Sequence, residues 1–194
     1  MSNNKAEKVT NPEQYINVDV ILAEISARMI TAGSISLPQM EGEPAAPVEY
    51  MQTMVFLLGE TYYAVEISSV NELIRSPDVT PIPGILEWVW GVTNIHGQIV
   101  SVVDLAHFLD AGFITSLVGS SLIILEAKDQ TIGLLVDSVQ PIFTFPIDQI
   151  ISPPFPVNLK LASYLRGAVE RGGEFVRLLD CESLLTGEEM QQFV

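Results

Sequence analysis

Residues 91–109 read GVTNIHGQIVSVVDLAHFL and residues 167–185 read GAVERGGEFVRLLDCESLL. One skeleton of glycine, glycine, valine and aspartate recurs at a constant offset: Gly91, Gly97, Val100, Asp104 and Leu109, then Gly167, Gly173, Val176, Asp180 and Leu185. A gapless repeat of this length predicts two copies of one supersecondary unit. Each copy reads as a strand, a glycine turn, a second strand and a short helix. Gly97 and Gly173 are expected to supply positive φ in hairpin turns. Asp104 and Asp180 precede LAHFL and CESLL, where a carboxylate accepts the free backbone N–H groups of a helix start.

Working outward, residues 51–58 and 61–67 form β-rich runs around Gly59-Glu60 and predict a hairpin. The segment ISSVNELI at 67–74 predicts a single helical turn, capped by Ser68 or Ser69 and carrying Val70 and Leu73. Pro77, Pro81, Pro83 and Gly84 then enforce an extended or turning connection. The second half repeats this order. Residues 122–126, a charged turn at 128–130 and IGLLV give a hairpin, followed by Asp137-Ser138-Val139. A loop with Pro153, Pro154 and Pro156 leads to strands at 164–171 and 174–179 around Gly172-Gly173. About ten short strands shared between two copies predict a mainly β fold of two small, five-stranded antiparallel barrels packed together.

The first 48 residues have a different texture. Val18, Ile21, Leu22, Ile25 and Met29 recur at helical spacing, and a tract with Pro38, Gly42, Pro44 and Pro47 follows. This predicts an extension, residues 1–48, with one amphipathic helix and a linker, ahead of a two-barrel domain at 49–194 that ends in a short helix. The apolar stripe of that helix serves either its own domain or a partner.

Hydrophobic residues make up 48% of the 194, enough for a packed core, yet Leu122-Ile123-Ile124-Leu125 is halted by Glu126 and no run reaches spanning length. A soluble chain is expected. The opening MSNNKAEKVTNPEQ lacks the apolar stretch of a secretory signal, and the lone Cys181 has no internal disulfide partner, which together predict a cytoplasmic location. Twenty-four acidic against nine basic residues give a net charge of −15, which argues against nucleic acid and anionic membrane surfaces as partners.

No constellation for catalysis is legible. His96 and His107 form no metal-ligand pattern, no G-x-S-x-G elbow surrounds a serine, and neither phosphate-binding glycine motif occurs. No catalytic residue, metal or cofactor is therefore expected. What remains is surface. Two barrels from one duplicated unit meet along a groove, and residues 70–73 and 139–142 either line it or belong to the core.

Four stretches carry a resemblance: FLLGETYYAVEISSVNELI, GVTNIHGQIVSVVDL, IGLLVDSVQPI and LLTGEEM. Together they resemble the CheW family of bacterial chemotaxis coupling proteins over about residues 50–191. The resemblance implies a non-enzymatic adaptor of two SH3-like barrels. It joins the cytoplasmic tip of a chemoreceptor, a helical hairpin, to the regulatory domain of a CheA-like histidine kinase in chemotaxis, phototaxis or pilus-based motility. Its location would be cytoplasmic, with recruitment to membrane-bound receptor arrays. By position, Val70, Glu72, Leu73, Gly91, Asn94 and Gly97 match the receptor-contacting region, with Val136 and Val139 expected on the same groove from the second barrel. The family usually has Arg where this chain has His96, opposite Glu72, so the Glu72–His96 link is expected to be weaker and to alter receptor choice. The alternative is a CheW-like regulatory or scaffold module in a kinase pathway that does not control motility.

Overall fold

The computed structural model describes residues 15–17, 48–127 and 130–191, with the backbone alone for 15–17 and 127. The amphipathic helix expected at 18–29, the linker glycine and prolines, and turn residues Lys128 and Asp129 lie outside the described residues.

The repeated unit forms as two hairpins, β5 (Val89–Ile95) with β6 (Gln98–Asp104) and β11 (Leu165–Arg171) with β12 (Glu174–Leu179). His96 and Gly97 have φ of 49° and 91°, and Gly172 and Gly173 have 61° and 90°. Positive φ at both central residues is the signature of the two-residue turn that matches strand twist. After each hairpin the aspartate caps a helix. Asp104 accepts from His107 N–H at 2.9 Å to start α1 (Leu105–Phe108), and Asp180 accepts from Ser183 N–H at 2.9 Å to start α3 (Cys181–Thr186). A last helix, α4 (Glu188–Gln191), follows.

The other strands are β1 (Tyr15–Asn17), β2 (Tyr50–Leu58), β3 (Thr61–Glu66), β4 (Val70–Arg75), β7 (Ser121–Ala127), β8 (Gln130–Val136), β9 (Ser138–Val139) and β10 (Phe143–Pro146). They complete two sheets, ordered β1-β4-β7-β8-β6-β5 and β10-β2-β3-β12-β11, with β9 on β2. The copies exchange hairpins. The first copy's β2–β3 joins the second copy's β11–β12, and β7–β8 of the second copy joins β5–β6 of the first. Each exchange joins its hairpins through one parallel pair, β12 with β3 and β6 with β8. Two mainly β units of five to six strands match the expected class, but the sheets are mixed and not wholly antiparallel. Parallel neighbours need a long crossover, and here intervening elements of the chain provide it.

Two short bridges tie the segments after β4 and β10 back to β5 and β11. Thr80, downstream of β4, exchanges backbone hydrogen bonds of 2.8 and 2.9 Å with Val92 on β5; Ile151, downstream of β10, exchanges two of 2.9 Å with Ala168 on β11. Val92 and Ala168 are separated by the repeat offset. So are Gly91 and Gly167, which explains the first glycine of the skeleton. A Cβ on Gly91 would fall onto the Thr80 carbonyl, and one on Gly167 would lie 2.8 Å from the Ile151 oxygen.

The segment 67–74 departs from the helical turn expected there. A 3-10 turn occupies only Ile67–Ser69, Glu66 is its N-cap and makes no side-chain capping bond, and Val70 already begins β4. The β-branched Val70 and Ile74 and the pairing of β4 with β7 favour extended backbone over a longer helix. Strand β10 has no forerunner in the sequence reading, because Pro146 marks it as loop-like; it pairs along β2 at a sheet edge, where proline is tolerated.

Two cores result. The larger one takes Met54, Phe56, Leu58, Tyr63 and Val65 from β2–β3 together with the first sheet and residues of α1, α2 (Leu159–Tyr164), α3 and α4. The smaller one holds Met51, Val55, Ala64, Phe145, Val169, Val176 and Leu178. Hairpin β2–β3 is thus a wall buried on both faces. That is why residues 54–58 read as a continuous apolar run without clean alternation.

Candidate functional site

Strand β4 and the β5–β6 turn meet at one end of the first barrel. Glu72 is only 8% exposed, yet its Oε2 lies 3.1 Å from His96 Nε2. The His96 side chain is 74% exposed, so a largely buried carboxylate is pinned by a ring that stands in solvent. His96 reaches Glu72 from the left-handed backbone of its turn, a conformation uncommon for a non-glycine residue. Asn94 fixes the turn, its Oδ1 accepting from Gly97 N–H at 2.8 Å.

Below the pair is a cleft of about 360 Å³ lined by Asn71, Glu72, Ile95, His96, Gln98, Val100, Ile124 and Thr131. Asn71 Nδ2 donates to Glu126 Oε2 at 2.5 Å beside it, where β4 bulges against β7 between Val70 and Glu72. Ile99, directly opposite Asn94 in the hairpin, is 68% exposed. The cleft thus combines an acid, an imidazole and amide groups with the apolar Ile95, Val100 and Ile124.

Of the residues singled out by resemblance, Glu72 and His96 line this cleft, and Asn94 and Gly97 build the turn that carries His96. Val70 and Leu73 point into the larger core, at 7% and 3% exposure, and Gly91 is buried against the Thr80 strand. Val136 is fully buried in β8, in the first sheet and not in the second barrel where it was expected. The hairpin exchange is the reason: the second copy's first hairpin builds the first copy's barrel. Val139, on β9 in the second sheet, is half-buried against the larger core. Val70, Leu73, Gly91 and Val136 are therefore not among the residues that line the cleft. Gln98 and Thr131, which also line the cleft, were not anticipated.

Among the described residues no three His, Cys, Asp or Glu side chains are grouped to hold a metal ion. Cys181 is buried, and burial pushes its thiol up to about 11, which keeps it protonated at neutral pH. Among the described residues no helix is long and apolar enough to cross a membrane.

Two interleaved β-barrels with a polar cleft against β4 define a protein-binding module. The CheW-like domain family matches residues 52–189, and the chain belongs to that family. It is 30% identical to the chemotaxis protein CheW of Klebsiella aerogenes over 161 residues, which cover 82% of this chain and 93% of that protein. It is 27% identical to the chemotaxis protein CheW of Treponema pallidum over 148 residues, 74% of this chain and 87% of that one. The crystal structure of the scaffolding protein TtCheW from Thermoanaerobacter tengcongensis superposes with a TM-score of 0.64 at 25% identity, covering 72% of this chain and 95% of that one. The chain is a CheW-type coupling adaptor; it works as a scaffold and not as an enzyme.

Proposed function

We propose that the Glu72–His96 cleft receives the helical hairpin at the cytoplasmic tip of a chemoreceptor, and that the same chain holds the regulatory domain of a CheA-like histidine kinase. The observation that carries the reading is the buried Glu72 carboxylate held at 3.1 Å by an exposed His96, at positions matching the family's receptor-contacting region. A carboxylate already desolvated and oriented costs a partner less to engage than one free in water. Ile95, Val100 and Ile124 give the cleft an apolar floor beside the carboxylate, suited to the apolar face of an amphipathic helix.

In this reading residues 49–194 are the coupling module and residues 1–48 an accessory extension. The adaptor works in the cytoplasm and is recruited to membrane-bound receptor arrays. Its output is a motility response, by flagella or pili.

The test is binding of a purified receptor tip from the source organism to the chain and to Glu72→Gln, which keeps the side-chain shape and removes the charge. We expect at least a tenfold loss for the tip, with binding to the kinase regulatory domain unchanged. Equal tip affinity for both proteins would refute the assignment.

A further inference from the structure

Strand β1 lies outside the family-matched segment 52–189, yet it pairs with the residues at the centre of the cleft. Its register sets Tyr15 against Ile74, Ile16 against Leu73 and Asn17 against Glu72. Without it, β4 would end its sheet and present a row of unpaired backbone groups, a template for strand addition. The Asn17–Glu72 pair lies beside the β4 bulge between Val70 and Glu72.

We propose that residues 15–17 are a built-in strap on the receptor-binding edge. Seated on β4 beside Glu72, the strap stands in the way of a partner approaching the cleft from that side, and the partner must displace it. The inference rests on the receptor-cleft reading above and adds a regulator to it. Two features suit the strap to this role. Three residue pairs are a short ladder, held by few backbone hydrogen bonds of modest net worth each. Residues 18–49 then separate β1 from β2, a stretch that at full extension spans roughly 100 Å. Chain length therefore does not pin β1 in place, while the tether keeps its local concentration high and its return rapid. A chain whose open form is a minor population binds with an affinity lowered by that fraction.

The experiment uses the full chain and a variant carrying Ile16→Pro and Asn17→Pro, which removes the one of these two adjacent N–H groups that faces β4, fixes φ at both positions, and leaves residues 48–194 untouched. The probe is the purified receptor tip, and amide exchange at residues 72–74 is followed in the free proteins. We expect the proline variant to bind the tip about tenfold more tightly, a tenth of the chain being open in the wild type, and its amides at 72–74 to exchange faster. Equal or weaker tip affinity in the variant overturns the strap while leaving the cleft assignment standing. Failure of both proteins to bind the tip overturns the cleft assignment, and the strap with it.

Discussion

Gly91 lies against the carbonyl of Thr80 with no room between them for a methyl group. The bridge from Thr80 to Val92 ties the segment after β4 to β5, so the missing side chain is a condition of that closure. Gly91 also has φ of 141°, a region L residues rarely enter. Gly91→Ala is expected to destabilise the fold by roughly 2–4 kcal/mol, combining overpacking and backbone strain. Gly97→Ala meets no atom within 4 Å and carries only the φ penalty, about 1–2 kcal/mol. Urea midpoints of the two variants check the ranking; the reverse order would refute the closure argument.

Asp104 and Asp180 are equivalent in the repeat but not in what they hold. Both accept from a first-turn N–H, but Asp104 is 2% exposed and its second oxygen also accepts from Ile114 N–H at 2.8 Å. Asp180→Ala should cost about 1 kcal/mol, the usual value of an N-cap. Asp104→Ala should cost about 3 kcal/mol, because it also leaves the buried Ile114 N–H without its acceptor. Thermal unfolding of both variants gives the comparison.

The repeat made the hairpins, the turn glycines and the aspartate caps legible, since each depends on residues near one another in sequence. The hairpin exchange was not legible. Whether β8 lies beside β6 or beside β12 is decided by which apolar faces meet in three dimensions, and β6 and β12 present similar ones. The misplacement of Val136 follows from that single ambiguity. Glu72 and His96 were found through family resemblance, whereas Gln98 and Thr131 were missed because a polar residue at the mouth of a strand carries no signal of the side it faces. Strand β1 is three residues long, too short for any periodicity to announce it.

Cys181 links stability to alkaline pH. Burial, the leading cause, raises its thiol from 9.0 to about 11, against the lowering effect of hydrogen bonds from Ser69 and Glu66. The folded state therefore keeps a proton that the unfolded chain releases near pH 9. Its contribution is intact below that pH and falls as pH rises toward 11, by about 2–3 kcal/mol. The stability difference between the wild type and Cys181→Ala, measured by urea unfolding from pH 8 to 11, should shrink across this window. A difference that stays constant would show that the thiol does not titrate as described.

His96→Arg restores the residue the family usually has opposite Glu72. Because position 96 is exposed, stability should change by no more than about 0.5 kcal/mol. An Arg fork can engage the Glu72 carboxylate twice where the imidazole engages it once, so preference among receptor tips should shift by up to about fivefold, the worth of an exposed pair. Titration against a panel of tips from the source organism measures this; unchanged affinities across the panel would remove His96 from any role in receptor choice.

The coupling of receptor to kinase is tested most directly by purifying a tagged copy of the chain from its source cell and scoring the eluate for a chemoreceptor and a CheA-like histidine kinase. Both should co-purify, and Glu72→Gln should lose the receptor while retaining the kinase. Recovery of the kinase alone with the unaltered chain, or of neither protein, would contradict it.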